Sequence, residues 1–280
     1  MGIATPFGAM VHVITLSLIH MQTVLDLIGS LLGPASGLLA AVATVFLLAG
    51  MVKGMVGLGL PTISMALLAL FMPPAQAAAL LVVPSLVTNV WQARPFGGLA
   101  PLLRRIGAMQ LGIGAGTLAG AVAFGAPAGD WGAVALGVAL LAYAGWGLFG
   151  TPPAPSPRAE PWMGPCVGVL TGLVTAVTGV FVVPAVPYLQ SLSLGKDALI
   201  QAMGISFTVS TVALAAGLWL NGSYSAGAAG ASFAMLLPAL LGMAAGQRLR
   251  RALSPRVFRL CFMASLAALG AYQVVEGLLF

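Results

Sequence analysis

From residue 35 onward, long apolar runs alternate with short stretches of Pro, Gly or charge. A spanning helix needs about 20 apolar residues. On that measure the runs predict membrane helices near 35–52, 55–72, 76–93, 105–125 and 131–149. The stretch TPPAPSPRAEP at 151–161 interrupts the pattern as a linker. A second series follows near 163–177, 180–190, 197–219, 226–246 and 255–278. Two of these, 163–177 and 180–190, are short for a crossing and meet at Thr178-Gly179, and Pro184 and Pro187 cannot continue a regular helix. Ahead of both series, His12, Thr15, Gln22, Thr23 and Asp26 fall near one face of a helix over 9–33, suited to packing on a bundle or lying at the interface. The predicted organisation is an N-terminal extension or additional helix (1–34), a first transmembrane repeat (35–150), a Pro-rich cytoplasmic linker (151–162) and a second repeat (163–280).

The two series resemble each other. Gly50-Met-Val-Lys53-Gly54-Met-Val-Gly57 parallels Gly168-Val-Leu-Thr171-Gly172-Leu-Val-Thr175 at an offset of 118 residues. Ala77 to Asn89 parallels Ala198 to Ser210 at an offset of 121, which sets Ser85 opposite Ser206. The connectors 94–105 and 247–256 hold most of the arginines, so the positive-inside rule puts both in the cytoplasm. That requires 163–190 to enter and leave on one face, and the halves are then inverted. The expected fold is an all-α polytopic membrane protein of about eight to ten helices, in two inverted repeats with broken or re-entrant glycine-rich hairpins.

Composition narrows the class. The chain is 60% hydrophobic and 6% charged, with a mean hydropathy of +1.07; soluble domains carry about 25% charged residues. The net charge of +6 does not point to nucleic acid, because the arginines sit in connectors between apolar runs. Cys166 and Cys261 lie in apolar sequence without zinc or redox spacing, which reads as packing. The two histidines fall in the N-terminal segment, and neither H-E-x-x-H nor G-x-S-x-G occurs. No enzyme, metal site or cofactor is expected. Asp26, Asp130, Glu160, Asp197 and Glu276 fall near helix ends or connectors, which argues against a carboxylate relay inside the membrane.

One charge stands out. Lys53 is the first Lys or Arg of the chain and lies in AGMVKGMVGLGLP, between two apolar runs. A charge at bilayer depth costs about 2.5–3.5 kcal/mol on the lenient insertion scale. Two readings are open. If the helix ends at residue 52, Lys53 snorkels to the interface. If the flanking helices meet inside the membrane, Gly54, Gly57 and Gly59 let the backbone unwind, and freed N–H groups with the Lys53 ammonium attract an anion. The counterpart hairpin offers Thr171, Thr175 and Thr178, with Gly179 at its break, although membrane threonines commonly bond their own i−4 carbonyl. Ser85, Thr88, Asn89 and Gln92 share one face of the following helix, and Ser206 and Ser210 match them in the other half. Such stripes serve either as interhelical glue or as a site. Gly112, Gly114, Gly116 and Gly120 read as close helix packing.

On GMVKGMVGLGLPTISM, MPPAQAAALLVVPSLVTNVWQ, GVLTGLVTAVTGVFVVPAVPYLQ and KDALIQAMGISFTVSTVAL, the chain resembles the sulfite exporter TauE/SafE family, also called toluene sulfonate uptake permeases. The resemblance covers about residues 35 to 278. It departs at Leu60-Pro61, where members often carry further glycines, and at Thr175-Ala176-Val177-Thr178, which replaces part of a glycine run. What the resemblance implies is a secondary transporter for small sulfur-containing anions (sulfite, sulfonates, sulfoacetate or related organic anions) in the bacterial inner membrane, importing or exporting. The partners expected are a small anionic substrate and membrane lipids, without nucleic acid. A homodimer and the coupling ion, H⁺ or Na⁺, stay open, as do a different organic anion and an anion channel. Substrate-binding candidates are Lys53, Gly54, Gly57, Gly59, Ser85, Asn89, Thr175, Thr178, Gly179, Ser206 and Ser210.

Overall fold

The computed structural model describes residues 34–279 apart from 98, 126, 128, 129, 151–154, 157 and 250–254. The N-terminal segment and its predicted helix over 9–33 lie outside the described residues. All regular structure among the described residues is helical. In chain order the helices are α1 (Pro34–Val56), α2 (Leu60–Leu68), α3 (Pro74–Gln92), α4 (Leu99–Phe124), α5 (Asp130–Phe149), α6 (Glu160–Thr178), α7 (Ala185–Ser191), α8 (Lys196–Leu220), α9 (Ala226–Ala234), α10 (Leu236–Leu249) and α11 (Pro255–Leu279). Seven helical stretches among the described residues are long and apolar enough to cross a membrane, with α9 and α10 together making one of them. A further, shorter apolar stretch, Phe262–Leu278, lies in α11.

Two helices are too short to cross. At 1.5 Å per residue, the nine residues of α2 reach only about 13 Å, well under the roughly 30 Å of a hydrocarbon core. The chain turns into α2 at Gly57 and Gly59, whose φ angles of 76° and 111° suit glycine alone, and Pro61 opens the new helix without wasting an N–H. The corresponding turn after α6 is made by Gly179 at φ 68°, and it leads to the seven-residue α7. Four expectations are corrected. The first helix does not stop at residue 52 but runs four residues further, the 55–72 run is helical only to Val56 and over Leu60–Leu68, the 163–177 run is a helix over Glu160–Thr178 long enough to cross, and the 226–246 run is two helices joined at Met235.

Glycine sets how the long helices cross. An added Cβ at Gly50 or Gly54 on α1 would lie 2.1 or 2.2 Å from the carbonyl oxygens of Ala239 and Met243 on α10. At Gly242 and Gly246 on α10 it would meet Leu47 and Met51 oxygens at 2.0 and 1.9 Å. The α4–α6 crossing is built alike: Gly168 and Gly172 face the Met109 and Ile113 oxygens at 2.2 and 2.4 Å, and Gly112 and Gly116 face those of Pro165 and Val169 at 2.6 and 2.4 Å. Lipid offers no hydrophobic drive between helices, so backbone approach of this kind supplies the van der Waals attraction that holds them. The paired positions Gly50/Gly168 and Gly54/Gly172 keep the 118-residue offset seen in the sequence. α1 and α6 thus each present a glycine face, to α10 and α4 respectively. Gly114, by contrast, meets nothing within 4 Å.

At the centre α3 crosses α8 and α4 also packs on α8. Pro84 interrupts α3 and brings no N–H to the Leu80 carbonyl. The buried Ser232 of α9 repairs the gap. Its hydroxyl donates to the Leu80 oxygen at 2.8 Å and accepts from the Val83 N–H at 3.0 Å. Ser85 and Asn89, both buried, follow on the same helix, with the Leu80 carbonyl and Val83 N–H paired at that turn.

Candidate functional site

Lys53 stands in the last turn of α1, one turn before the break at Gly57, whose N–H donates to the Lys53 carbonyl at 2.8 Å. Its side chain is 4% exposed, so it points inward rather than out to an interface. Among the described residues it is the only charged side chain that is buried. Its ammonium donates to Asn89 Oδ1 on α3. An ammonium only donates, so the Asn89 oxygen faces it and the amide nitrogen faces away. That nitrogen donates to Thr211 Oγ1 on α8 at 3.3 Å, and the Thr211 hydroxyl spends its own proton on the Phe207 carbonyl at 2.6 Å. The relay is ordered from end to end: ammonium, amide, hydroxyl, backbone carbonyl. The Phe207 ring lies with its centroid 6.0 Å from the Lys53 nitrogen, and Phe181, just past the Gly179 turn, packs on that ring at 6.4 Å. Residues from α1, α3, α8 and the second hairpin therefore meet here.

Among the described residues no carboxylate joins them. The one ion pair among the described residues, Arg105–Glu160, ties α4 to the start of α6, on exposed or half-buried side chains. Lys53 has three ammonium protons and a single hydrogen bond, to a neutral partner. The helices that meet here also carry buried hydroxyls without a partner: Ser85 Oγ, one turn before Asn89 on α3, and Ser210 Oγ, next to Thr211 on α8; α2 holds two more, Thr62 and Ser64. Buried polar groups are normally paired. A cluster that leaves one cation and several hydroxyls unspent is chemically suited to an anion with several acceptor oxygens.

The other candidates divide. Ser206 accepts from Gln110 Nε2 on α4 at 2.9 Å, which leaves the Gln110 oxygen unpartnered. Thr175 and Thr178 return their protons to the carbonyls of Thr171 and Val174 at 2.8 and 2.6 Å, and Thr178 also accepts from the Val180 N–H at 3.1 Å. They shape the second turn and hold no free donor. Gly57, Gly59 and Gly179 occupy the left-handed turns as required for open backbone. Gly54 does not: it lies inside α1, against Met243 of α10, so its expected place in an unwound segment is corrected to a helix crossing. Gln92, on the predicted polar stripe, bonds the Ile200 carbonyl at 3.2 Å and serves as glue between α3 and α8. Cys166 is exposed on α6 rather than packed.

Two clefts lie at opposite ends of α1. One, of about 460 Å³, is lined by Leu38, Val42, Gln76, Leu80, Ser223 and Ser225. The other, of about 290 Å³, is lined by Val56, Leu58, Tyr143, Trp146, Gln190 and Met263. Val42 and Val56 are 14 residues apart, about 21 Å along the helix. Lys53 and Asn89 line neither cleft.

The family model for sulfite exporter TauE/SafE matches residues 42–273. The chain belongs to that family. No curated protein and no solved structure matches it. The match takes in every helix of this TauE/SafE chain that contributes to the Lys53 cluster, and with the seven long apolar helices it makes the protein a multi-pass membrane protein of a transporter family. Sequence reading of the TauE/SafE chain missed Thr211, Phe207, Phe181 and Gln110 as parts of the cluster. The available signal was the repeat register, which sets Asn89 opposite Ser210, the immediate neighbour of Thr211.

Proposed function

We propose that this TauE/SafE protein is a secondary transporter that moves small sulfur-containing anions, such as sulfite and sulfonates, across the bacterial inner membrane by alternating access. The observation that carries the reading is a buried lysine whose only hydrogen-bond partner among the described residues is a neutral amide. The family's name, sulfite exporter, supports the substrate class. Lys53 supplies charge, Asn89, Ser85 and Ser210 supply polar contacts, and the open turns at Gly57, Gly59 and Gly179 shape the backbone around them, the Gly57 and Gly179 N–H groups being spent on the Lys53 and Thr175 carbonyls. Ser206, Thr175 and Thr178 hold the surrounding backbone and side chains.

The halves act as inverted repeats around this midplane site, with the Arg-rich connectors 94–105 and 247–256 and the Pro-rich linker in the cytoplasm. A carrier is favoured over a channel, because the cluster is sealed while clefts indent the protein at both ends of α1. Rocking of one half against the other connects the site to each cleft in turn.

Reconstituted vesicles test the reading directly. Sulfite and sulfonate uptake saturates and exceeds that of protein-free vesicles, with Na⁺ and pH gradients varied to find the driving ion. Lys53→Met raises KM for the anion by at least about tenfold, since removing one partner of a buried charge contact typically costs 2–5 kcal/mol. Unchanged KM in Lys53→Met sinks the anion-site assignment.

A further inference from the structure

The charge inventory of the site sets the valence of what it carries. Lys53 is the one buried charge among the described residues, and the described groups it touches are neutral: the Asn89 amide and the Phe207 ring, joined in turn to the Thr211 hydroxyl and the Phe181 ring. The backbone adds no net charge either. Lys53 lies in the last turn of α1, whose carbonyl end is partly negative, and the N-terminus of α2, partly positive, follows only three residues after Val56. Those helix-end charges are each about half an elementary charge and oppose one another. The cluster is sealed from water, so counter-ions cannot complete its charge balance.

We infer that the site takes a singly charged anion. One negative charge against Lys53 gives a neutral assembly that can be closed off from solvent at low cost. A second negative charge has no cation to meet. It must be buried unpaired, and unpaired ions are the most costly groups to bury. Within the sulfur anions proposed above, this selects monosulfonates and hydrogen sulfite, and it selects against sulfite dianion, sulfate and sulfoacetate. The inference rests on Lys53 being the anion site, and it narrows the substrate class of that site.

Matched pairs separate valence from size. Sulfoacetate, a dianion, is compared with its carboxamide, a monoanion of nearly the same shape; malonate is compared with its half-amide in the same way. Each is offered to vesicles containing the full-length protein, and KM and maximal flux are measured. The expected result is that the monoanion of a pair is carried with a KM at least about thirtyfold lower than its dianion, equivalent to about 2 kcal/mol at 1.4 kcal/mol per tenfold. Equal KM for both members of a carried pair overturns the valence inference and leaves anion transport standing. Carriage of the malonate half-amide alone overturns the sulfur-anion reading and supports the valence inference. Absence of flux for all four overturns both.

Discussion

Replacing Asn89 by Asp is the sharpest perturbation of the cluster, because it changes one atom's charge and almost none of its shape. In the native protein the Asn89 oxygen accepts from Lys53, and neither residue is more than 4% exposed. A carboxylate there pairs internally with the ammonium. Two unit charges 4 Å apart attract by about 4 kcal/mol at an effective dielectric constant of 20. An incoming anion has to displace that partner. At 1.4 kcal/mol per tenfold, the anion's KM rises by between about tenfold and a thousandfold, the lower figure allowing for relaxation of the pair. Stability moves the other way or stays put: the buried cation gains a counter-charge, so the unfolding temperature in detergent does not fall. Parallel vesicle uptake and thermal unfolding of Asn89→Asp and Asn89→Ala check both arms. The Ala variant loses the hydrogen bond but leaves Lys53 unpaired, so it retains more transport than the Asp variant. If Asn89→Asp transports with the native KM, Lys53 does not meet the substrate and the charge argument is wrong.

Thr211→Val removes the acceptor for the Asn89 amide nitrogen while keeping the side-chain shape, and it raises KM about fivefold, corresponding to a net hydrogen bond of about 1 kcal/mol; Thr211→Ser restores the native KM in the same uptake assay. Gly54→Ala and Gly172→Ala force a methyl against the Met243 and Ile113 carbonyls, so each costs about 1–3 kcal/mol in unfolding experiments in detergent, whereas Gly114→Ala, with nothing within 4 Å, is neutral or stabilising. Ser232→Ala leaves the Leu80 carbonyl and Val83 N–H unpaired beside Pro84 and destabilises by about 1–3 kcal/mol. In a Pro84→Ala background, which returns an N–H to α3, the same substitution costs measurably less.

What could be read from the sequence follows from which forces are local. Apolar runs of spanning length are a local signal, and they marked the seven helical stretches long enough to cross. The glycine crossings also left a local trace, since α1 and α6 need glycine at positions 118 residues apart, Gly50/Gly168 and Gly54/Gly172, to approach a neighbouring carbonyl. The role of those glycines was misread at Gly54. Glycine weakens a helix intrinsically, by about 1 kcal/mol relative to Ala, and three glycines after Lys53 look like an unwound stretch. Packing against α10 outweighs that preference, so the break waits until Gly57. Thr211 and Phe207 were out of reach for another reason. Their part depends on which face of α8 turns toward α3 and α1, and an α8 whose exposed face also carries apolar residues (Val212, Trp219, Leu220) gives little periodic signal.

The reciprocal frame and the single charge belong to different requirements. Close helix crossing is needed twice, once for each hairpin, so Gly50 and Gly54 recur as Gly168 and Gly172. A buried cation is needed once. The position matching Lys53 is Thr171, whose hydroxyl is spent on the Val167 carbonyl at 2.7 Å and offers no proton to a ligand. A second lysine there would add like charge to a sealed interior, and each such charge carries its own desolvation cost. The second hairpin instead contributes Phe181, which packs on Phe207 and closes the apolar side of the cluster. Under the proposed function this asymmetry divides the labour: Lys53 would meet the anion's charge, and Phe181 would keep water away from it. Substitutions in the second hairpin that leave its fold intact, such as Phe181→Leu, accordingly alter leak and maximal flux more than KM.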